Sequence, residues 1–241
     1  MSKKNLMFVM TTISVLLIVS VSVSPASAMT SMSGMSGMSH VTKWCFGKPT
    51  KNSDWSNCDM RYTHLEFMDL SGINLSGANL QGMRLYATNL SGANLSGANL
   101  QYAYLNYANL SGANLLGANL KHIDFYHSNL SNTNLKNADF TGSRFPTVDF
   151  SEANLSGANF ADTDSQLCNF QNATLSNANF YQASLLGDDF SDADMTNAYL
   201  VNANFGGGGI MAGANLQGAN VGGLNTSGAD LSCTGNPICR E

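Results

Sequence analysis

The sequence predicts an all-β solenoid whose chain turns a corner every five residues, and three observations carry that prediction. From Leu65 to Phe205 every fifth residue is Leu or Phe in 27 of 29 positions, the exceptions being Ser165 and Met195. The residue before each is Asn or Asp in 22 of the 29, and the residue two before is Ala in 16. Ser-Gly commonly fills the remaining pair, as in Ser91-Gly92-Ala93-Asn94-Leu95. On an α-helix a step of five turns roughly 500°, so the leucines would wind around the rod without forming a stripe. On a straight strand an odd step throws successive leucines to opposite faces. Both obstacles vanish if the chain turns a corner every five residues and points each Leu/Phe and Ala inward. Ser, Gly and Asn then fill the corners and the outside, where Gly tolerates positive φ. The backbone must bond to the coils above and below, because one coil cannot pair its own groups.

These residues resemble the pentapeptide-repeat family, whose unit is Ala-(Asp/Asn)-Leu-x-x, over 55–231. The resemblance implies a right-handed quadrilateral parallel β-helix with four pentapeptides per coil. In that frame Trp55 to Ile210 supplies 32 repeats, or eight coils. Gly206-Gly207-Gly208-Gly209 slips the phase by one residue within 206–213, and the pattern resumes at Leu216, Val221, Thr226 and Leu231. About nine coils at the usual interstrand spacing of ~4.8 Å make a rod about 40 Å long.

The 241 residues carry only 11% charge and a formal net charge of -5, with 29 asparagines. Sparse charge with 44% apolar residues argues against a disordered acidic chain. An acidic balance argues against a nucleic-acid binder, which needs clustered Lys and Arg to neutralise phosphates.

Along the chain, Lys3 and Lys4 precede an apolar run from Leu6 to Val23 and then Ala26-Ser27-Ala28. This is the layout of a cleavable secretory signal over 1–28, with an uncleaved anchor as the other possibility. Cleavage removes two lysines and no acid, leaving a net charge of -7. Residues 29–43 form a Met/Ser/Gly-rich segment in which Met32, Met35, Met38 and His40 offer soft ligands. It reads either as a low-complexity linker or as a Cu(I) site of the kind found in exported copper-handling proteins. Titration of a peptide covering Met29 to His40 with Cu(I) separates the two.

Residues 44–59 read as an N-terminal cap merging into the first coil, and 232–241 as a C-terminal cap. Cys45 and Cys58 bracket the entry, and Cys233 and Cys239 lie just beyond the last repeat. Export to an oxidising space favours two local disulfides. Zinc is the rival, without a suitably spaced Cys–His set. Cys168 takes an inward Ala-type position as a buried thiol, and Asp188 lies one coil further along the same inward column. Phe140, Phe160 and Phe180, and Phe150, Phe170 and Phe190, are expected to stack as two ladders.

The period of 20 also exposes one unusual side. Seven positions lack Asn or Asp before the central residue, and five stack in one column: His64, Arg84, Tyr104, Arg144 and Ser184. Outward aromatics gather there. Tyr62, Tyr102 and His122 share a column, as do Tyr104 and Asp124, Tyr86 and Tyr126, and Tyr107 and His127. Arg84 and Arg144 lie at the margins. Tyr suits a binding surface, though it also simply tolerates β-ladders. No Ser-His-Asp or Cys-His constellation can be assembled, so neither catalysis nor a cofactor is expected.

The leading expectation is a non-enzymatic exported binding or scaffold protein with a protein or glycan partner. It is not membrane-integral after cleavage, and is a monomer or an end-to-end dimer. The leader implies export to the periplasm or the extracellular space. The resemblance, which includes signal-bearing members of the periplasm and the thylakoid lumen, implies the lumen in a cyanobacterium. Other family members are acidic rods that mimic DNA and bind gyrase. The outward leader and sparse charge speak against that here.

Overall fold

The computed structural model describes residues 43–45 and 47–239, within one compact unit, Thr42–Glu241. The leader and nearly all of the Met-rich segment, including Met32, Met35, Met38 and His40, lie outside the described residues. Each pentapeptide forms one side of a square coil. The corner is a β-turn: Ile73 N–H donates to Leu70 C=O, and Ala78 N–H to Leu75 C=O, both at 3.1 Å. The second corner residue has positive φ, 67° at Gly72 and 64° at Gly92, as a type II turn requires. Sides pair in parallel with the side 20 residues on, as in Asn74↔Asn94↔Asn114↔Asn134.

The asparagine excess follows from this geometry. Asn94 Oδ1 accepts from Ser96 N–H at 3.2 Å and Ser96 Oγ–H at 2.9 Å, closing its own corner. Its Nδ2 donates to Asn74 Oδ1 at 3.3 Å, and Asn114 Nδ2 donates to Asn94 Oδ1 at 3.4 Å. An amide, being donor and acceptor at once, can do both jobs in every coil. Sides this short register mostly as single bridges. The named strands are β1 (Lys43–Trp44), paired with β2 (Cys58–Asp59), and β3 (Asp164–Gln166), paired with β4 (Ser184–Leu186).

The inward Leu, Phe and Ala residues make one continuous buried core. Phe140, Phe160 and Phe180 stack at 4.7 and 4.8 Å, and Phe150, Phe170 and Phe190 at 4.8 and 4.5 Å. Both expected ladders are therefore present. Ser165 and Met195, the two exceptions to Leu/Phe, are also fully buried.

The phase slip corrects one expectation. Ile210 is not an inward centre: it pairs with Asp189 on the outward ladder, while Met211 is buried. The corner after Phe205 uses three residues, and Gly207 and Gly208 both have positive φ, 68° and 88°. Two consecutive left-handed residues are accessible essentially to glycine alone. A Cβ on Gly209 would stand 2.8 Å from the Phe205 ring. Partners that span the slip are 21 residues apart, as in Asp194↔Asn215.

Both cap disulfides form, Cys45–Cys58 with Cα atoms 5.5 Å apart and Cys233–Cys239 at 4.9 Å, while Cys168 is a free buried thiol. At the N-terminal end β1 lies on β2, and at the other Thr234 pairs with Asn215. Among the described residues, no helix is long and apolar enough to cross a membrane.

Candidate functional site

The unusual column predicted from sequence is continuous: His64↔Arg84↔Tyr104↔Asp124↔Arg144↔Asp164, closing on Ser184 through the β3–β4 pair. It runs down the outside of the side whose inward residues are Leu65, Leu85, Leu105 and Phe125. Two corner rows flank it. The preceding corner carries Tyr62, Tyr102 and His122. The following corner carries Phe67, Tyr86, Tyr107, Tyr126 and His127.

Backbone conformation separates these corners from the other two. Tyr62, Phe67, Tyr102, Tyr107, His122 and His127 all have positive φ, between 53° and 62°. Thr147 and Leu167 join them on the same corners. On the other two corners the equivalent positions hold only Gly, Asn, Asp and one Glu among the described residues. A side chain held in the left-handed region costs about 1 kcal/mol or more. These rings therefore sit where glycine would fit more easily, and Gly82 and Gly142 do occupy that place in the Tyr62 column.

The following corner forms an unbroken chain of rings. Phe67 meets Tyr86 edge-on at 5.4 Å, Tyr86 meets Tyr107 at 5.4 Å, and Tyr107 meets Tyr126 at 5.6 Å. His127 closes it, 4.0 Å from Tyr126 and 5.4 Å from Tyr107, with its Nδ1 2.6 Å from Thr147 Oγ1. Partial desolvation, followed by the neighbouring Tyr126 and Tyr86, pushes the Tyr107 phenol above its ordinary pKa. On the preceding corner Tyr102 stacks on His122, and Tyr62 leans over Gly82.

Between the column and the following corner, Glu66, Phe67, Arg84, Tyr86, Tyr104 and Asn106 line an open depression of about 600 Å³. Phe67 is 74% exposed and Tyr104 51%. Asn106 Oδ1 is buried there without a hydrogen-bond partner. His64 engages Glu66 at 3.3 Å, and Arg144 engages Asp164 at 3.3 Å. Among the described residues, Arg84 and Asp124 have neither an ion pair nor a side-chain hydrogen bond. The structure thus gathers Arg84, Tyr86, Tyr104 and Tyr107 closely and sets Arg144 apart against Asp164. Sequence reasoning passed over Phe67, Glu66 and Asn106. Phe67 was legible, standing 40 residues before Tyr107 in the same period-20 column.

A second polar group lies inside the rod. Asp188 is fully buried, its Oδ2 accepting from Ser165 Oγ at 2.5 Å and its Oδ1 from Cys168 N–H at 2.9 Å. Burial raises its pKa to about 7, against the opposing effect of those two hydrogen bonds. Burial, with Asp188 nearby, also pushes the Cys168 thiol well up, away from the reactive thiolate. Among the described residues no group of His, Cys, Asp and Glu is arranged to hold a metal ion.

Family models for pentapeptide repeats match residues 51–77, 73–112, 93–132 and 103–142, and a second such model matches 168–215. Together they span more than half of the chain, which belongs to the pentapeptide-repeat family, with its right-handed quadrilateral β-helix. None of the curated proteins matches at a significant level. Among solved structures, HetL, a pentapeptide-repeat protein involved in heterocyst differentiation regulation in the cyanobacterium Nostoc, is 24% identical. That likeness covers 77% of this chain and 92% of HetL at a TM-score of 0.38. QnrB1, a plasmid-mediated fluoroquinolone resistance protein, is 18% identical over 71% of this chain and 92% of its own, at 0.38. A pentapeptide-repeat protein of the Arabidopsis thaliana thylakoid lumen is 25% identical over 48% of this chain and 66% of its own, at 0.23.

Proposed function

We propose that this chain is a non-enzymatic exported binding protein, a rigid rod whose ring-lined side is presented to a protein or glycan partner. One observation carries the reading: six rings stand at left-handed corner positions, all flanking one side, where glycine would be more stable. Local strain retained on one face is a mark of selection for something other than stability. Exposed tyrosines on a stiff scaffold give contact area at little entropic cost. Of the two buried carboxylates among the described residues, Asp188 is sealed beside Ser165 and Cys168 with no route to a substrate, and Asp59 is tied up by Arg61 at 2.8 Å.

The test is the triple variant Tyr104→Ser, Tyr107→Ser, His122→Ser, used as the control in crosslinking from the native envelope fraction. The expected result is loss of the crosslinked partner with an unchanged melting temperature. Unfolding of the variant, or an undiminished crosslink, counts against the reading. Recovery of the full, uncleaved chain from the cytosol would favour the DNA-mimic, gyrase-binding reading instead.

A further inference from the structure

Resting on that reading, we infer that the depression around Arg84 and Tyr104 takes an acidic glycan, a linear chain of uronic acid residues. Arg84 presents a guanidinium that no carboxylate of the described residues engages, beside the exposed faces of Phe67, Tyr86 and Tyr104. The carboxylate that shares the depression, Glu66, is turned to His64 at 3.3 Å. Its fork of donors matches a carboxylate. Two coils further along the column, across Tyr104, Asp124 presents an unengaged carboxylate. A carboxylate only accepts hydrogen bonds, and sugar hydroxyls supply donors for it. A ligand that satisfies both must carry an anionic group and hydroxyls, with an apolar C–H face between them to lie on Tyr104. A uronic acid chain has all three.

Spacing and width point the same way. Arg84 and Asp124 stand two coil rises apart, roughly 9–10 Å at the 4.5–4.8 Å stacking of the buried phenylalanines, about the length of two linked pyranose rings. The side between the corners is three residues wide, roughly 10 Å. A stable protein interface needs about 800 Å² from each partner, with a fully enclosed centre. A narrow side bounded by convex corners suits a single polymer strand better.

The full chain is titrated calorimetrically with tetrasaccharides of galacturonate, mannuronate and glucuronate, and with their methyl esters, which keep the rings and remove the charge. At least one acid form is expected to bind, and its ester about tenfold more weakly, as loss of a charge-assisted hydrogen bond implies. Arg84→Gln is expected to abolish that preference, so that acid and ester bind alike, and Asp124→Asn to weaken both. Both side chains are outward-facing, and an unchanged melting temperature shows that the fold is intact. Absence of binding by all three acids, or equal binding of acid and ester by the unmutated chain, overturns the glycan. If a protein crosslink then still depends on the ring-lined side, the binding role stands with another class of partner. If that crosslink survives the triple Ser variant, both readings fall.

Discussion

The ring of Tyr102 lies flat on that of His122 one coil below, centroids 5.3 Å apart and planes within 9°, and both residues hold positive φ, 61° and 53°. The stack contributes about 0.5–1.5 kcal/mol, while each left-handed side chain costs about 1 kcal/mol or more. The double variant Tyr102→Gly, His122→Gly is therefore expected to be as stable as the native chain or about 1 kcal/mol more stable. Urea unfolding reads this directly. A loss above 1 kcal/mol would mean that the rings hold the corner together, and the argument from strain to function would fail. Partner binding is expected to fall in the same variant, giving a stability gain and a functional loss together.

Leu167 isolates the backbone part of that argument. It has φ of 57°, is 68% exposed, and leans over Gly187 without a ring contact. Leu167→Gly is expected to raise stability by about 1 kcal/mol, since it relieves the left-handed strain and removes little packing. The reverse exchange, Gly92→Leu, at a corner with nothing within 4 Å of a new Cβ, is expected to lower it by a similar amount. Thermal unfolding of the pair checks the sign of both.

Asp188 gives the rod a pH dependence opposite to that of a paired carboxylate. Its folded pKa of about 7 exceeds the ordinary value of 3.8, so between them the folded state binds more protons than the unfolded state. Stability therefore falls as pH rises through that window, by at most about 1.4 kcal/mol per unit, and levels off above it. The geometry accommodates the neutral acid: its proton can go to Ser165 Oγ, freeing the Ser165 hydroxyl for Ser184 C=O at 3.0 Å. Asp188→Asn should flatten the profile between pH 4 and 7 and stabilise the chain at pH 8. An unchanged slope would place the titration elsewhere.

The fold was legible because a five-residue period admits few geometries, and the column of His64, Arg84, Tyr104, Arg144 and Ser184 followed from counting in twenties. Two things were not. Ile210 looked like an inward centre because it kept the period, and only the three-residue glycine corner moved that role to Met211. The strain under Tyr62, Phe67, Tyr102, Tyr107, His122 and His127 was also hidden. The repeat shows that these are corner residues, but not that the second corner residue is the one with positive φ when no glycine marks it. Treating the tyrosines as ladder residues therefore held for Tyr104 alone among the patch, the rest being on corners.

The outward ladder carries one further regularity. Aspartates occur in it at 54, 59, 69, 124, 139, 149, 164, 189, 194 and 230, yet among the described residues no bridge joins one aspartate to another. Their partners are Asn, Thr, Ser, a Tyr, an Arg, Ile210 and, for Asp59, Trp44. An Asn amide of the next coil donates to Asp54, Asp69, Asp139, Asp149 and Asp194, as Asn169 Nδ2 does to Asp149 Oδ1 at 3.1 Å, while Asp59 is bound by Arg61 instead. Carboxylates only accept, so two stacked one coil rise apart would face each other without a proton between them and repel by about 1–3 kcal/mol. Asn94→Asp alone keeps the bonds it accepts from Ser96 and Asn114 and should cost under about 1 kcal/mol. Asn94→Ala loses them all and should cost about 1–2 kcal/mol. Asn94→Asp combined with Asn114→Asp should cost at least 1 kcal/mol more than the two single changes together at pH 7. Protonating one carboxyl removes the repulsion, so the excess should vanish near pH 3. Additive costs at pH 7 would show that solvent screens the ladder, leaving the alternation of aspartates without an electrostatic cause.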